Sequence, residues 1–180
     1  MGQLVLNIFR SSFEINDCTF RNTAADAFDG DFVRGGLANV TFENIGNDGI
    51  DFSGSFVSIK QCSFNLIQDK AISAGERSSL NVVGCHIKKS ELAITSKDDS
   101  EVRIQNSTIE DSKVGYVAFE KKSEFGPGFI HINNCSETNL QELNLVEKGS
   151  ILVRDGKVIE PNKENVKAIL YGNEYGKSSR

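Results

Sequence analysis

An all-β solenoid is the fold class predicted by this 180-residue sequence, and three observations predict it. Phe20, Phe42, Phe64, Ile87 and Ile109 recur at steps of 22, 22, 23 and 22 residues, and a fixed period of this length marks a repeat architecture. Two positions earlier the same frame gives Cys18, Val40, Cys62, Cys85 and Ser107, then Cys135 after a longer step, so all four cysteines share one column. Apolar residues alternate within each repeat, as at 57 and 59, 62 and 64, and 72 and 74, the period of a strand with one buried face. A chain that turns three times in about 22 residues and then repeats is a coil, and stacked coils place like residues over one another at about 4.8 Å. The pattern is that of a single-stranded right-handed parallel β-helix. A leucine-rich repeat would need a leucine and asparagine scaffold, where this chain has aromatic and β-branched residues on three strands.

The coils run from near Leu4. Their first inward column is Phe13, Gly35, Val57, Leu80, Val102 and Ile130, and the next is Ile15, Leu37, Ile59, Val82, Ile104 and Ile132. The three-residue step from Ile59 to Cys62 marks a corner, and the eight-residue step from Phe64 to Ile72 a wider bend. The third strand carries Phe28, Ile50, Ile72, Ile94 and Tyr116, then Gly30, Phe52, Ala74, Ser96 and Ala118. Asn22 and Asn44 share a bend position, where buried amides are expected to bond each other; the ladder fades at Leu66, Lys89 and Asp111. One coil is expanded between Ala118 and Ile130, and the segment Lys121 to Gly128 is expected to project as a loop of the kind that carries specificity.

Ile151, Leu152 and Val153 with the turn Asp155-Gly156 form a last partial coil. Asn162 is expected to cap a short helix with Val166, Ile169 and Leu170 on one face and Gly172 at its end, plugging the C-terminal end of the core. The boundaries read as β-helix 4–160, capping helix 161–172 and disordered tail 173–180. Nothing comparable shields the first coil, and an open parallel edge invites pairing, so the N-terminal end is expected to meet more of the same protein or another protein module.

A formal charge of −5 and a pI near 5.1 argue against nucleic acid. The sequence holds neither an apolar run long enough for membrane insertion nor a signal-peptide pattern at Met1-Gly2-Gln3. The cysteines lack metal-ligand spacing and read as reduced, buried and unreactive thiols. His86 and His131 alternate with inward residues and face solvent on different strands, with no third group to complete a triad.

The richest region for chemistry is Asp26-Ala27-Phe28-Asp29-Gly30-Asp31, followed one coil later by Asn47-Asp48-Gly49-Ile50-Asp51-Phe52-Ser53. The frame sets Asp26 over Asp48 and Asp29 over Asp51. With Phe28, Ile50 and Phe52 inward, Asp29, Asp31 and Asp51 point outward together, and like charges so close call for a cation, a shared proton or lysines. The same face continues through Ser73, Glu76, Thr95, Lys97 and Lys121, with Lys70 following Asp48 at the bend. Three readings stay open. The acids are bend residues; or Asp26, Asp48, Lys70, Glu76, Lys97 and Lys121 bind a sugar polymer or a surface partner, with Asp29 and Asp51 holding calcium; or Asp29, Asp31 and Asp51 act as general acid and base on a glycosidic bond or a uronate C5 proton, as in a lyase, hydrolase or epimerase.

Residues 13–118, with the runs Gly46-Asn47-Asp48-Gly49-Ile50-Asp51-Phe52-Ser53-Gly54-Ser55 and Asp69-Lys70-Ala71-Ile72-Ser73-Ala74-Gly75-Glu76, resemble the parallel β-helix repeats of the pectate-lyase-like superfamily. The resemblance implies a long exposed groove suited to polysaccharide and an extracellular or cell-surface location. The polygalacturonase pattern is not matched, since neither histidine lies between glycines and Asp98-Asp99 lacks that context. The calcium and arginine arrangement of the pectate lyases is not matched either.

Overall fold

The computed structural model describes residues 5–172, so the start near Leu4 and the tail 173–180 lie outside the described residues. The chain winds into stacked coils with three walls. One wall is an eight-stranded sheet in which Ser12–Asn16, Arg34–Ala38, Phe56–Lys60, Ser79–Val83, Glu101–Gln105, Phe129–Asn133 and Ile151–Arg154 pair in parallel, in that order. The other two walls share an eleven-stranded sheet. Leu6–Phe9, Phe28–Asp31 and Ile50–Ser53 begin one of them, Thr19–Thr23 and Thr41–Ile45 the other, and the long strands Ser63–Gly75 and His86–Lys97 run through both. Register follows the 22-residue frame: Phe20 faces Phe42, Phe42 faces Phe64, and Phe28 faces Ile50, which faces Ile72.

The inward columns are the core. Phe42 and Phe64 are fully buried, and the rings of Phe20, Phe42 and Phe64 stack in parallel with centroids 5.2 and 4.7 Å apart. Phe13, Phe28 and Phe52 form a second aromatic cluster with edge contacts at 5.1 and 5.3 Å. Gly30 interrupts its column because a Cβ there would lie 2.6 Å from the Phe52 ring.

Each coil turns at three corners, and most corners hold a left-handed residue with φ of 47° to 65°; the expanded corner 120–128 holds none, and Gly149 stands at 95°. One corner runs Asp17, Asn39, Gln61, Gly84, Asn106, Asn134 and Asp155; the second Asn22, Asn44, Leu66, Lys89, Asp111 and Asn139; the third Arg10, Phe32, Gly54, Glu76 and Asp98. Asn and Asp tolerate this conformation because their side chains bond locally. Asn44 donates to Asn22 at 2.8 Å and Asn139 to Asp111 at 2.8 Å. This corrects the expectation of buried amides: Asn22 and Asn44 form their ladder on the exposed surface, because the left-handed turn aims the side chain outward. A buried serine ladder lies beside the third corner, unanticipated although its 22- and 23-residue spacing is visible. The amides of Val33, Ser55 and Ser78 donate to the hydroxyls of Ser55, Ser78 and Ser100, each at 3.0 Å.

The C-terminal end closes differently from the expected plug. Lys157–Ile159 pairs antiparallel with Ile151–Arg154 and ends that sheet. In the last coils some inward columns turn polar, Ile109 facing Glu137 and Ile132 facing Arg154, while Ile130 still faces Leu152 and Ala118 faces Val146. Arg154 binds Glu137 through both nitrogens at 2.9 and 2.7 Å, and Tyr116 donates to Glu137 at 2.5 Å. The helix is Val166–Leu170 and is capped by Asn165; Asn162 bonds Val146 and Asn144 instead. Its Val166 and Leu170 pack with Leu92, Val114, Val117, Phe119 and Leu145, a cluster separate from the coil interior. Val117 and Phe119 alternate with the inward Tyr116 and Ala118, so the helix covers the outside of a wall rather than the end of the core.

The expanded loop does not project either. The amides of Lys121 and Lys122 donate to Asp98 at 2.8 Å, Lys122 pairs with Glu76, and Arg77 lies over the Phe125 ring at 5.5 Å. The segment therefore folds back along the third corner.

Candidate functional site

The site grows from one outward column. Asn7, Asp29, Asp51, Ser73, Thr95, Val117 and Leu145 are successive register partners on the outside of the wall that begins at Leu6–Phe9. Their chemistry grades from amide and carboxylate through hydroxyl to aliphatic, and the helix covers the aliphatic end. The neighbouring column holds Phe9, Asp31 and Ser53, with Lys97 beside Phe119 farther along. The predicted trio of Asp29, Asp31 and Asp51 is thus brought together on adjacent coils.

Its charges are compensated unequally. Lys97 reaches back two coils, with Nζ 3.2 Å from Asp51 Oδ1 and donating to Ser73 Oγ at 2.7 Å. Its stem crosses Gly75, where a Cβ would lie 2.9 Å from Lys97 Cε. Burial raises the Asp51 pKa, but Lys97 and Lys70, with the hydrogen bonds from Ser73 and Lys97, outweigh it and hold the group below its usual value. Asp29 is met by an amide instead, Asn7 Nδ2 at 3.1 Å. Burial, then the charges of Asp31, Asp51 and Asp26, push its pKa up to about 6. Asp31 is raised as well, by burial and then by Asp51 and Glu76. One face thus carries an ionised carboxylate and a neighbour that keeps its proton into the weakly acidic range.

The binding residues named from the sequence divide. Asp26 receives the Asp48 amide at 2.9 Å and the Asn47 side chain at 2.6 Å, which makes it a bend residue. Asp48 and Lys70 are buried, and Lys70 Nζ lies 3.2 Å from Asp48 and 2.8 Å from Asp69. Burial pushes Asp48 up to about 7 against the pull of Lys70, while Asp48 and Asp69 raise Lys70 despite its burial. This cluster ties adjacent bends together and offers no ligand a contact, which removes Asp48 and Lys70 from the exposed stripe. Lys121 leaves it too, since its ammonium sits 5.3 Å over the Tyr171 ring and its carbonyl accepts from Lys167. The lysine that reaches Glu76 is Lys122, one residue on. The acids and lysines interleave across coils instead of occupying opposite ends. For the calcium expectation at Asp29 and Asp51, no group of three His, Cys, Asp or Glu side chains among the described residues is arranged to hold a metal ion.

Aromatic residues beside the stripe were missed. Phe9 and Phe32 are half-exposed at the third corner, their rings edge to face at 6.1 Å, and Arg10 lies 4.9 Å over Phe9. Phe32 is left-handed, and its ring rests where a Cβ at Gly54 would stand 2.5 Å away. A Phe and a Gly 22 residues apart at a corner are the signal that was available.

The cysteines share a wall only in part as expected. Cys62 and Cys85 are buried; Cys135 is half-buried and Cys18 exposed, because no coil among the described residues covers Cys18. His86 is exposed and His131 half-exposed, both on the outer surface as the frame required.

The model of the right-handed β-helix region matches residues 5–163, and the chain belongs to that family. No curated protein and no solved structure gives a match.

Proposed function

We propose that this β-helix binds an uncharged or amine-bearing polysaccharide along the outer face of Asn7, Asp29, Asp31 and Asp51. The observation that supports the reading is the column itself: hydrogen-bonding side chains on consecutive coils, about 4.8 Å apart, with the exposed rings of Phe9 and Phe32 along one side. Carboxylates and amides take up sugar hydroxyls, and an aromatic face takes up the apolar side of a sugar ring. The clustered charges of Asp29, Asp31 and Asp51 disfavour a uronate polymer. Such a role fits an extracellular or cell-surface protein. Calorimetry against neutral, amino and uronate polymers tests it. Binding to the first two, weakened about tenfold in Asp29→Asn, is expected; no binding to any of them, or binding that Asp29→Asn leaves unchanged, refutes it.

A second reading rests on the split between Asp29 and Asp51. A carboxyl that holds its proton beside one that is ionised is the pairing a glycoside-cleaving acid and its partner need. Turnover of glycans, read as reducing ends or unsaturated products and lost above about pH 6 as Asp29 ionises, would favour the enzyme.

A further inference from the structure

The position after the first corner carries Cys18, Val40, Cys62, Cys85, Ser107 and Cys135. The backbone of one coil bonds this position on the next. The Cys85 amide donates to Ser107 Oγ at 3.0 Å, and the backbones of Val40, Cys62 and Ser107 bond the sulfurs of Cys62, Cys85 and Cys135. Ser107 shows that a hydroxyl fills this place, as serines do at the third corner. Hydrogen bonding therefore accounts for a small polar side chain here and leaves the choice of sulfur unexplained.

Only at Cys62 and Cys85 do two cysteines stand on adjacent coils; Val40 and Ser107 separate them from Cys18 and Cys135. Ser63 faces His86, and the His86 amide donates to the Cys62 carbonyl at 2.9 Å, so the two coils are held in register at this point. Neighbouring parallel strands set Cα atoms about 4.8 Å apart, inside the span of a disulfide. The Cys85 sulfur reaches toward the earlier coil, 3.7 Å from the Ile59 carbonyl, and the two thiols hydrogen-bond to each other. We propose that Cys62 and Cys85 are a redox pair, joined by an inter-coil disulfide when the chain folds in the presence of a small disulfide oxidant such as oxidised glutathione.

The chemistry is thiol–disulfide exchange. One protein thiolate attacks a sulfur of the oxidant, whose S–S bond breaks and whose other half leaves as a thiolate. The second protein thiol gives up its proton, attacks the mixed disulfide at the protein sulfur and expels the remaining half. Two electrons and two protons pass from the protein to the oxidant, which departs as two thiols. In the folded chain both cysteines are only 1 to 2% exposed, so the exchange runs while the coils are open, and their closure then shields the product.

Refolding the full chain with oxidised and reduced glutathione, followed by acid quenching and peptide mass mapping, tests this. A peptide pair linked through Cys62 and Cys85 is expected, two hydrogens lighter than the reduced pair. The oxidised protein should melt roughly 5 to 10 °C above the same protein kept in reductant, because the link closes a loop in the unfolded chain. Both readouts use the parent chain alone. Cys62→Ser and Cys85→Ser keep a hydroxyl in the ladder and should melt near the reduced parent with or without oxidant. Recovery of Cys62 and Cys85 as free thiols overturns the proposal, as does a link from either one to Cys18 or Cys135. So does an oxidised form that melts no higher than the reduced one, since the folded coils would then not favour the bond. None of these readouts depends on glycan binding, so the two proposals fail separately.

Discussion

Replacing Asp29 by Asn removes the carboxyl that the fold holds at about 6, against 3.8 for a free aspartate. A rise of that size corresponds to about 3 kcal/mol at full weight. The side chain is only half-buried, so solvent screening reduces the penalty to about 1 kcal/mol. Because the pKa is raised, the folded state binds the proton more tightly than the unfolded one. Stability is greatest below the unfolded value and declines as pH climbs toward about 6, above which the penalty is constant. The asparagine side chain carries no such penalty and can still accept from Asn7. Urea unfolding should therefore show Asp29→Asn more stable by about 1 kcal/mol at neutral pH, with most of the gain gone near pH 4. Asp51→Asn provides the contrast, since it removes the negative charge beside the Lys97 ammonium, which is 7% exposed, and should cost about 2 kcal/mol. A gain for Asp29→Asn that is absent at neutral pH, or equal at both pH values, refutes the charge-repulsion account.

Lys70→Met leaves Asp48 and Asp69 buried without their ammonium, and chemical denaturation should register a loss of about 3 kcal/mol. Arg154→Met uncouples Glu137 at the closed end, and a similar loss is expected in the same assay. Leu66→Asn places a residue suited to φ 59° at an exposed corner below Asn44, and thermal melting should rise by the equivalent of about 1 kcal/mol. Thiol labelling of the folded protein should find Cys18 fast, Cys135 slower, and Cys62 and Cys85 unreactive until unfolding.

The period and the inward columns were legible in the sequence because a stacked coil imposes one environment on residues about 22 apart, and burial admits only apolar side chains there. The same regularity placed Asp29 over Asp51 and sent both outward. What lay beyond it were interactions that cross coils. Lys97 and Asp51 are 46 residues apart and meet only because a long stem can cross Gly75. Lys70 reads as a polar residue at a bend, but its ammonium is buried against Asp48 and Asp69, so burial decided its role. The helix illustrates the same limit. An apolar face on Val166 and Leu170 predicts that something will be covered, and only the folded chain shows that the target is the outward Val117 and Phe119. The alternating pattern was ambiguous there, since both faces of that strand are apolar. Local spacing thus determined which residues are buried in the coil and which acids share a face. The tertiary structure decided which of those acids keep a free charge, because long side chains reach partners that no repeat frame aligns.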